Sequence, residues 1–343
     1  MHITVFGSGA WGTAVATHMA FAHSVVLWGR DAQVVESINQ HHENSRYLAG
    51  IKLNPQLKAQ ADFALAARHA LQGPAAERLW VLGTPMGALR TTLQALLNVA
   101  PFEEWPPIVW LCKGFEVGTG LMPHQVVEAV LGKPHGGALT GPSFAAEVAK
   151  GLPCALTAAS ACPAHRAAMV AAAHHAAMRV YELDDIVGAE VGGAVKNIMA
   201  VATGMCDGMQ LGLNARAALI TRGMAEIKRL AVALGAQPET LNGLSGFGDL
   251  ILTCTGDLSR NRRVGLMLAQ GKSLEQILVE LGQVAEGVKC APVVHELAGK
   301  LGVDMPITAA VNATLFEGIS PGEGVMRLLS RGAKWEQAAD PAA

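Results

Sequence analysis

The 343-residue sequence has little charge of either sign. Lysine, arginine, aspartate and glutamate make up 16% of it, and the formal net charge at pH 7 is −2. Binding to the phosphate backbone of a nucleic acid requires a basic surface. The composition therefore predicts that nucleic acid is not a partner, whereas a small anionic substrate needs only a few local cations.

The sequence also lacks the patterns of metal sites, disulfide frameworks and membrane segments. The six cysteines are scattered without a C-x-x-C pair, and the twelve histidines have no H-E-x-x-H spacing. No apolar run reaches the roughly 18–20 residues that cross a bilayer, and the first residues resemble a strand more than a signal peptide. We therefore expect a cytoplasmic protein with free thiols, no metal and no membrane insertion.

The first half of the chain alternates strand-like and helical segments. Apolar runs occupy residues 3–6, 25–28, 79–82 and 108–111, with shorter candidates at 138–139 and 154–157. Continuous apolar strands separated by helices predict a buried parallel sheet with helices on both faces. This pattern predicts an α/β fold with a doubly wound sheet domain over residues 1–187.

The second half has a helical pattern and little strand signal. Apolar residues recur three or four positions apart at Val191, Val195, Ile198, Ala202 and Met205. A long helix is predicted to begin near Asn214, which is a good capping residue. Further helices are predicted over 287–301 and 306–316, the latter with Pro306 in its first position. These segments predict an all-α domain over residues 188–336.

A glycine motif follows the first strand and opens the first helix. Gly7-Ser8-Gly9-Ala10-Trp11-Gly12 has the pattern G-x-G-x-x-G, in which the glycines allow a tight turn, close approach of a pyrophosphate and close helix packing. The helix N-terminus adds N–H groups and a positive dipole end. An ordinary glycine turn is the alternative, but the strand–turn–helix context favours a Rossmann-type dinucleotide site. We predict cofactor contacts at Gly7, Gly9, Ala10, Trp11 and Gly12.

Two charged residues after the second strand bear on the choice between NAD and NADP. An acidic residue about 20 positions after the glycines commonly binds the ribose of NAD, whereas a nearby arginine binds the additional phosphate of NADP. Arg30 and Asp31 stand side by side here. Arg30 directly follows the strand and its glycine, which favours NADP, with NAD as the alternative. A solvated surface cation is the other interpretation of Arg30.

Further motifs follow the glycines in a specific order. They are Lys113 to Glu116 (K-G-F-E), Gly141 to Glu147 (G-P-S-F-A-A-E), Gly192 to Asn197 (G-G-A-V-K-N), Asp249 to Thr255 (D-L-I-L-T-C-T), Ser259 to Arg263 (S-R-N-R-R) and Val284 to Gly287 (V-A-E-G). With them the chain resembles the soluble, bacterial-type NAD(P)-dependent glycerol-3-phosphate dehydrogenases along nearly its whole length. The resemblance implies interconversion of sn-glycerol 3-phosphate and dihydroxyacetone phosphate by hydride transfer, which supplies glycerol 3-phosphate for phospholipid synthesis. It also implies a cleft between a dinucleotide-binding domain and a helical substrate domain.

Lys196 is the candidate for proton transfer. It lies among apolar residues of a predicted helix, where burial would lower its pKa, although a lysine whose tip reaches water is the alternative. The resemblance favours the catalytic interpretation. Lys113 follows a strand at the edge where α/β sheets bind ligands, and a position near Lys196 would lower the pKa of Lys196 further.

The resemblance assigns the remaining contacts. The substrate contacts are Lys113, Gly141, Ser143, Lys196, Asn197, Asp249, Ser259, Arg260 and Asn261. Additional cofactor contacts are Lys113, Ala145, Arg260, Val284 and Glu286. Ser259, Arg260 and Asn261 have the donors that suit a phosphate and stand where a helix is predicted to begin, with a basic loop of solvated charges as the alternative. Asp249 is expected to orient the lysine and a substrate hydroxyl, with a helix cap as the alternative.

Two other functions fit parts of the pattern. Another dehydrogenase of this architecture, acting on a 3-hydroxy acid or a phosphogluconate, would share the glycines and a helical lysine but would not need the S-R-N segment. A non-catalytic nucleotide-binding redox sensor would not need Lys113, Lys196 and Asp249 together. We therefore expect a small phosphorylated substrate. Helical second domains of this kind often pair, which leaves a homodimer open.

Overall fold

A computed structural model describes residues 1–282 and 285–332. Its strands are β1 (His2–Phe6), β2 (Ser24–Trp28), β3 (Lys58–Gln60), β4 (Arg78–Leu82), β5 (Ile108–Trp110), β6 (Gly137–Thr140), β7 (Cys154–Ala159) and β8 (Met178–Leu183). They form one sheet in the order β3-β2-β1-β4-β5-β6-β7-β8. The order reverses between β1 and β4, which is where open α/β sheets bind ligands.

Helices cover both faces of this sheet. They are α1 (Ala10–Met19), α2 (Ala32–His41), α3 (Phe63–Leu71), α4 (Leu89–Leu97), α5 (Pro123–Leu131), α6 (Ala145–Ala149) and α7 (Pro163–Ala173). Alternate residues of each strand enter different cores, because side chains on a strand point to opposite faces. Leu79 and Val81 belong to one core, whereas Trp80 and Leu82 belong to the other. The predicted doubly wound α/β fold is confirmed.

One pair of strands departs from the predicted parallel arrangement of the sheet. β6 and β7 are antiparallel, with Leu139 opposite Ala158, while the other neighbouring strands are parallel. The connection between them covers only residues 141–153, and its one helix is the five-residue α6. The chain therefore re-enters the sheet from the same end, whereas a parallel neighbour requires a crossover to the opposite end.

Beyond Leu183 the described residues contain helices and no further strand. The helices are α8 (Ile186–Gly208), α9 (Gly212–Ala233), α10 (Asp249–Thr255), α11 (Arg260–Ala269), α12 (Leu274–Leu281), α13 (Glu286–Leu301), α14 (Pro306–Phe316) and α15 (Pro321–Leu329). The second half is thus helical as expected. The division of the chain into two domains near residue 187 stays a prediction.

The central helix of this half is α8, against which α9, α10, α11 and α13 pack. By length and composition α8 is apolar enough to cross a membrane, but 89% of its most apolar window is buried inside the protein. The next helix, α9, begins at Gly212, close to the predicted start near Asn214, but the predicted capping role of Asn214 is wrong, since Leu211 is the N-cap and no side chain caps the helix. The predicted helix over 306–316 with Pro306 at its start is confirmed.

Candidate active site

Three charged side chains from distant parts of the chain meet at the carboxyl end of the sheet. Lys113 follows β5, Lys196 lies in the middle of α8, and Asp249 is the first residue of α10. The Nζ of Lys113 donates to Oδ2 of Asp249 at 2.6 Å. The Nζ of Lys196 donates to Oδ1 of the same carboxylate. One carboxylate therefore holds two ammonium groups close together.

Burial and these charges determine the pKa values at the site. The side chains of Lys196 and Asp249 are only 8% and 1% exposed. Burial lowers the pKa of Lys196 to about 8, while Asp249 opposes this shift and Lys113 reinforces it. Burial alone would raise the pKa of Asp249, but the two lysines prevail and lower it. An amine with a pKa near neutrality can both donate and accept a proton at physiological pH.

Glycines allow the lysine-bearing helix to approach its neighbours. A Cβ at Gly192 would lie 2.6 Å from the carbonyl oxygen of Ser245, in the π-helical turn that precedes α10. The adjacent Gly193 faces Lys113 and Thr140, whose nearest side-chain atoms would be 3.5 and 3.4 Å from a Cβ. The paired glycines of the G-G-A-V-K-N motif thus place α8 against both segments that complete the site.

Thr253 belongs to this cluster and was not predicted. It lies one helical turn after Asp249, and its Oγ1 donates to the carbonyl oxygen of Asp249 at 2.6 Å. The same hydroxyl accepts from Nζ of Lys196 at 2.8 Å. The four-residue spacing of Asp249 and Thr253 places both on one face of α10, which is the signal that could have identified it. Thr253 therefore fixes the direction of the Lys196 ammonium.

The S-R-N segment lies at the start of α11, as predicted. Ser259 is the N-cap, and its Oγ accepts the N–H three residues later at 3.2 Å. Asn261 donates to Oδ1 of Asn197 at 2.9 Å and accepts the N–H of Gly287 at 2.9 Å. These side chains connect α8, α11 and α13. The predicted substrate contacts of Ser259, Asn197 and Asn261 stay predictions.

Arg260 lies near Glu286, the first residue of α13. Burial lowers the pKa of Arg260, and Glu286 opposes that shift. Burial likewise raises the pKa of Glu286, and Lys289 and Arg260 oppose this shift. The guanidinium group lies in the first turn of α11, where N–H groups and the helix dipole also attract anions. The predicted cofactor residue Val284 lies outside the described residues.

The glycine motif forms a backbone cradle at the start of α1. Gly7 has φ +117°, and a Cβ there would lie 2.7 Å from the carbonyl oxygen of Gly83. A Cβ at Gly12 would lie 2.1 Å from the carbonyl oxygen of Gly7, whereas a Cβ at Gly9 would meet nothing within 4 Å. Gly9 thus leaves open space in front of the helix N-terminus where Ala10 and Trp11 begin α1. A dinucleotide pyrophosphate fits this arrangement.

A buried asparagine supports the cradle from outside the motif. Asn44 is fully buried, and its Nδ2 donates to the carbonyl oxygen of Ser8 at 2.9 Å and to Oγ1 of Thr13 at 2.8 Å. Its Oδ1 accepts the N–H of Tyr47 at 3.1 Å. Sequence reasoning missed Asn44, because it lies more than thirty positions beyond the glycines in a segment without a pattern.

The two charged residues after β2 have different environments. Arg30 is exposed. Asp31 is the N-cap of α2, accepts the N–H of Gln33 at 3.0 Å and pairs with Arg46 at 2.6 Å. The carboxylate that would bind the ribose of NAD is thus already engaged by a cation and a helix cap. This arrangement favours the interpretation of Arg30 as the phosphate-binding residue.

The segment after β6 lies between α1 and the turn that precedes Asp249. Gly141 has φ +135°, a conformation that strongly favours glycine, and Oγ of Ser143 donates to its carbonyl oxygen at 3.2 Å. Ala145 begins α6, which packs on α1. A Cβ at Gly248, the residue before Asp249, would lie 3.6 Å from Pro142. The segment therefore touches both the cofactor helix and the turn that carries the carboxylate.

A cavity of about 240 Å³ lies between the loop after β4, the segment after Lys113 and the start of α13. Met86, Phe115 and Glu286 contribute to its walls. It connects the region of the predicted cofactor residue Glu286 with the segment that carries Lys113. Among residues 1–282 and 285–332, no group of three or more histidine, cysteine, aspartate or glutamate side chains is arranged to hold a metal ion.

Two family models match the chain consecutively. The model of the NAD-dependent glycerol-3-phosphate dehydrogenase N-terminus matches residues 2–166, and the model of the C-terminus of the same enzymes matches residues 185–326. The chain belongs to the NAD-dependent glycerol-3-phosphate dehydrogenase family. The resemblance inferred from the motifs is confirmed, and the chain is an oxidoreductase that uses NAD or NADP.

Individual members of the glycerol-3-phosphate dehydrogenase family are similar to this chain over nearly the whole of both lengths. The glycerol-3-phosphate dehydrogenase (NAD(P)+) of Herminiimonas arsenicoxydans is 56% identical over 98% of this chain and 100% of its own length. That of Paucimonas lemoignei is 57% identical over 96% of this chain and 97% of its own. The crystal structure of the Coxiella burnetii enzyme superimposes with a TM-score of 0.89 at 36% identity, covering 96% and 98% of the two chains.

Proposed function

We propose that this enzyme reduces dihydroxyacetone phosphate to sn-glycerol 3-phosphate, and catalyses the reverse reaction, with Lys196 as the group that exchanges the proton. The observation that carries the proposal is a buried ammonium group whose pKa is lowered to about 8, bound between Asp249 and Thr253. When bound, the nicotinamide supplies or accepts the hydride. The protein must therefore orient the substrate and manage one proton.

The proton step follows from the ionisation of Lys196. In the direction of reduction, the Lys196 ammonium transfers a proton to the carbonyl oxygen as that oxygen becomes a hydroxyl group, and the neutral amine then regains a proton from solvent. In oxidation, the neutral amine accepts the hydroxyl proton. Asp249 and Thr253 hold the amine in one direction through both states. Lys113 is placed to contact the substrate from the β5 side.

The phosphate of the substrate is assigned to the start of α11. Arg260 supplies a planar set of donors that suits phosphate oxygens, and the N–H groups of the first turn of α11 can add further donors. Ser259 caps this turn, and the hydrogen bonds of Asn261 hold it against α8 and α13. Gly141 and Ser143 complete the substrate side from the end of β6.

The cofactor is assigned to the opposite wall of the cleft. The Gly7–Gly12 cradle holds the pyrophosphate, and Arg30 binds the additional phosphate of NADP in preference to NAD, because Asp31 is engaged by Arg46. Ala145 begins the helix that packs on α1. Glu286, the first residue of α13, and Val284 are assigned as further cofactor contacts.

The cellular role proposed for the enzyme follows from its product. Glycerol 3-phosphate is the backbone of phospholipids, so the enzyme is assigned to their synthesis in the cytoplasm. The free cysteines of the chain suit a reducing compartment. A homodimer is the assembly proposed for it, formed through its helical second half.

The experiment that tests this function compares substrates that differ in one group. Oxidation of NADPH and of NADH is followed at 340 nm with dihydroxyacetone phosphate and, as the matched control, with dihydroxyacetone, which lacks the phosphate. Rapid turnover of the phosphate ester alone, faster with NADPH, is expected. Equal turnover of dihydroxyacetone would contradict the role of Arg260. Turnover of a 3-oxo acid with NADPH, or of a phosphogluconate with NADP, instead would overturn the substrate assignment.

A further inference from the structure

Glu190 and His124 form a carboxylate–imidazole pair near the two lysines. Glu190, in the second turn of α8, has a side chain that is 3% exposed. Its Oε1 accepts from Nε1 of Trp110 at 2.9 Å and from the N–H of His124 at 3.0 Å, and its Oε2 accepts from Nδ1 of His124 at 2.5 Å. Trp110 ends β5 and His124 lies in the first turn of α5. One carboxylate therefore fastens α8 to both elements.

This fastening point is close in the chain to both catalytic lysines. Lys113 follows Trp110 by three residues. Lys196 follows Glu190 by six residues on one continuous helix, which is about 9 Å along its axis. Glu190 and Lys113 also border the same small cavity, together with Gly114 and Thr140. A shift of α8 relative to β5 at Glu190 would therefore change the distance between the two ammonium groups.

The charges at the pair favour an ionised contact. Burial raises the pKa of Glu190, and His124 opposes this shift. Burial alone would lower the pKa of His124, but Glu190 prevails and raises it, with Glu128 of α5 acting in the same direction. The thiol of Cys112, also near Glu190, has its pKa raised by burial and stays neutral. A desolvated ion pair with two further N–H donors resists displacement better than a neutral contact.

We propose that Glu190 and His124 are positioning residues for proton transfer. By fixing α8 to the end of β5 and the start of α5, they bring Lys196 and Lys113 onto opposite oxygens of Asp249. The inference rests on the proposed role of Lys196. It extends that role to a pair that touches neither Lys196 nor Asp249 through any described hydrogen bond.

The test uses Glu190→Gln and a matched variant of a second buried carboxylate. Glu226 of α9 is also buried and accepts three hydrogen bonds, from Ile307 and Thr308 at the start of α14, away from the lysines. Glu226→Gln therefore controls for the replacement of a buried, hydrogen-bonded carboxyl group. The kcat and KM for dihydroxyacetone phosphate, the Kd for NADPH and the melting temperature are measured for both variants.

For Glu190→Gln we expect kcat to fall roughly 10- to 100-fold, because small misplacement of a catalytic group has effects of this size. The Kd for NADPH should stay near that of the wild type. His124→Ala should lower kcat to a similar extent. His124→Asn retains a donor near the position of Nδ1 and should keep most of the wild-type kcat. An unchanged kcat in Glu190→Gln, or an equal loss in Glu226→Gln, would overturn the proposal.

A measurement without substrate separates this inference from the proposed function. Competitive acetylation of the cofactor-free protein at a series of pH values, read by mass spectrometry, gives the ionisation midpoint of Lys196. In Glu190→Gln the midpoint should move downward, because weaker contact with Asp249 leaves burial dominant. Glu226→Gln should leave it in place. An unmoved midpoint in Glu190→Gln contradicts the positioning role even if the enzyme proves to act on another substrate.

Discussion

The two walls proposed for the cleft, one for the cofactor and one for the substrate, are built in different ways. The cofactor wall is mainly backbone, and its glycines lie within the six residues from Gly7 to Gly12. The substrate wall is made of charged side chains, and its ion pairs join residues that are 53 and 136 positions apart. The first wall depends on the absence of Cβ atoms, whereas the second depends on how α8, α10 and β5 pack together.

Because the two walls are built differently, a substitution in one wall should leave the function of the other wall intact. A side chain added at the cradle should impair cofactor binding or the fold but leave the ionisation of Lys196 intact. A change at the carboxylate should alter proton transfer and leave the cradle intact. The predictions below test this separation.

Asp249→Asn should have the largest effect on catalysis. Without the carboxylate, burial and Lys113 both lower the pKa of Lys196 with little opposition, so the amine is neutral at pH 7 and cannot donate a proton. We expect kcat for reduction to fall about 100-fold or more, in the range of lost acid–base catalysis. Fluorescence titration should give a Kd for NADPH close to that of the wild type. A comparable loss of cofactor affinity would show that the walls are not separate.

Gly12→Ala and Gly9→Ala should separate folding from binding on the cofactor wall. At Gly12 the new methyl group would overlap the carbonyl oxygen of Gly7, and we expect a loss of roughly 1–3 kcal/mol in the free energy of unfolding. At Gly9 the methyl group meets nothing within 4 Å, so stability should be unchanged while cofactor affinity falls. Urea unfolding and NADPH titration test both variants. Equal destabilisation of the two would contradict the cradle geometry.

Lys113→Met should shift the pH dependence of catalysis as well as its rate. Lys113 lowers the pKa of Lys196, so its removal should raise that pKa above about 8. Reduction requires the protonated amine, and its rate therefore declines with rising pH at a higher midpoint in the variant. The pH profile of kcat gives this midpoint, with Lys300→Met on the exposed face of α13 as the control. A midpoint that moves downward would contradict the repulsion between the two ammonium groups.

Glu226→Gln should have the smallest effect on catalysis, because Glu226 belongs to neither wall. Burial raises the pKa of Glu226 from 4.5 to about 7. The folded state therefore binds more protons than the unfolded state between these values, and stability falls as pH rises through this window. The variant should flatten that slope in urea unfolding at pH 5 and pH 8 and leave kcat unchanged. A slope equal to that of the wild type would assign the pH dependence to another group.

The parts of the molecule that could be predicted from sequence are those with local causes. The glycine cradle follows from one motif in a strand–turn–helix context, and the start of α14 follows from Pro306. The resemblance brought in the lysines and the carboxylate, because no local pattern connects Lys113, Lys196 and Asp249. Their convergence depends on packing between distant helices and the sheet.

The parts that could not be predicted are polar contacts between elements. Asn44, Thr253 and the Glu190–His124 pair have no motif, since each is defined by a partner that another element supplies. The hydrogen bonds of Asn261 to α8 and α13 have no sequence motif either. Asn261, which is predicted to contact the substrate, thus also connects three helices.

Chemical rescue of a Lys196 variant shows whether Lys196 transfers the proton. Lys196→Ala is assayed for NADPH oxidation with dihydroxyacetone phosphate in the absence and presence of ethylammonium. We predict a loss of about 10²- to 10⁴-fold in kcat, an unchanged Kd for NADPH, and partial recovery that increases with amine concentration. A variant that retains most of the wild-type rate without added amine would show that Lys196 is not the group that transfers the proton.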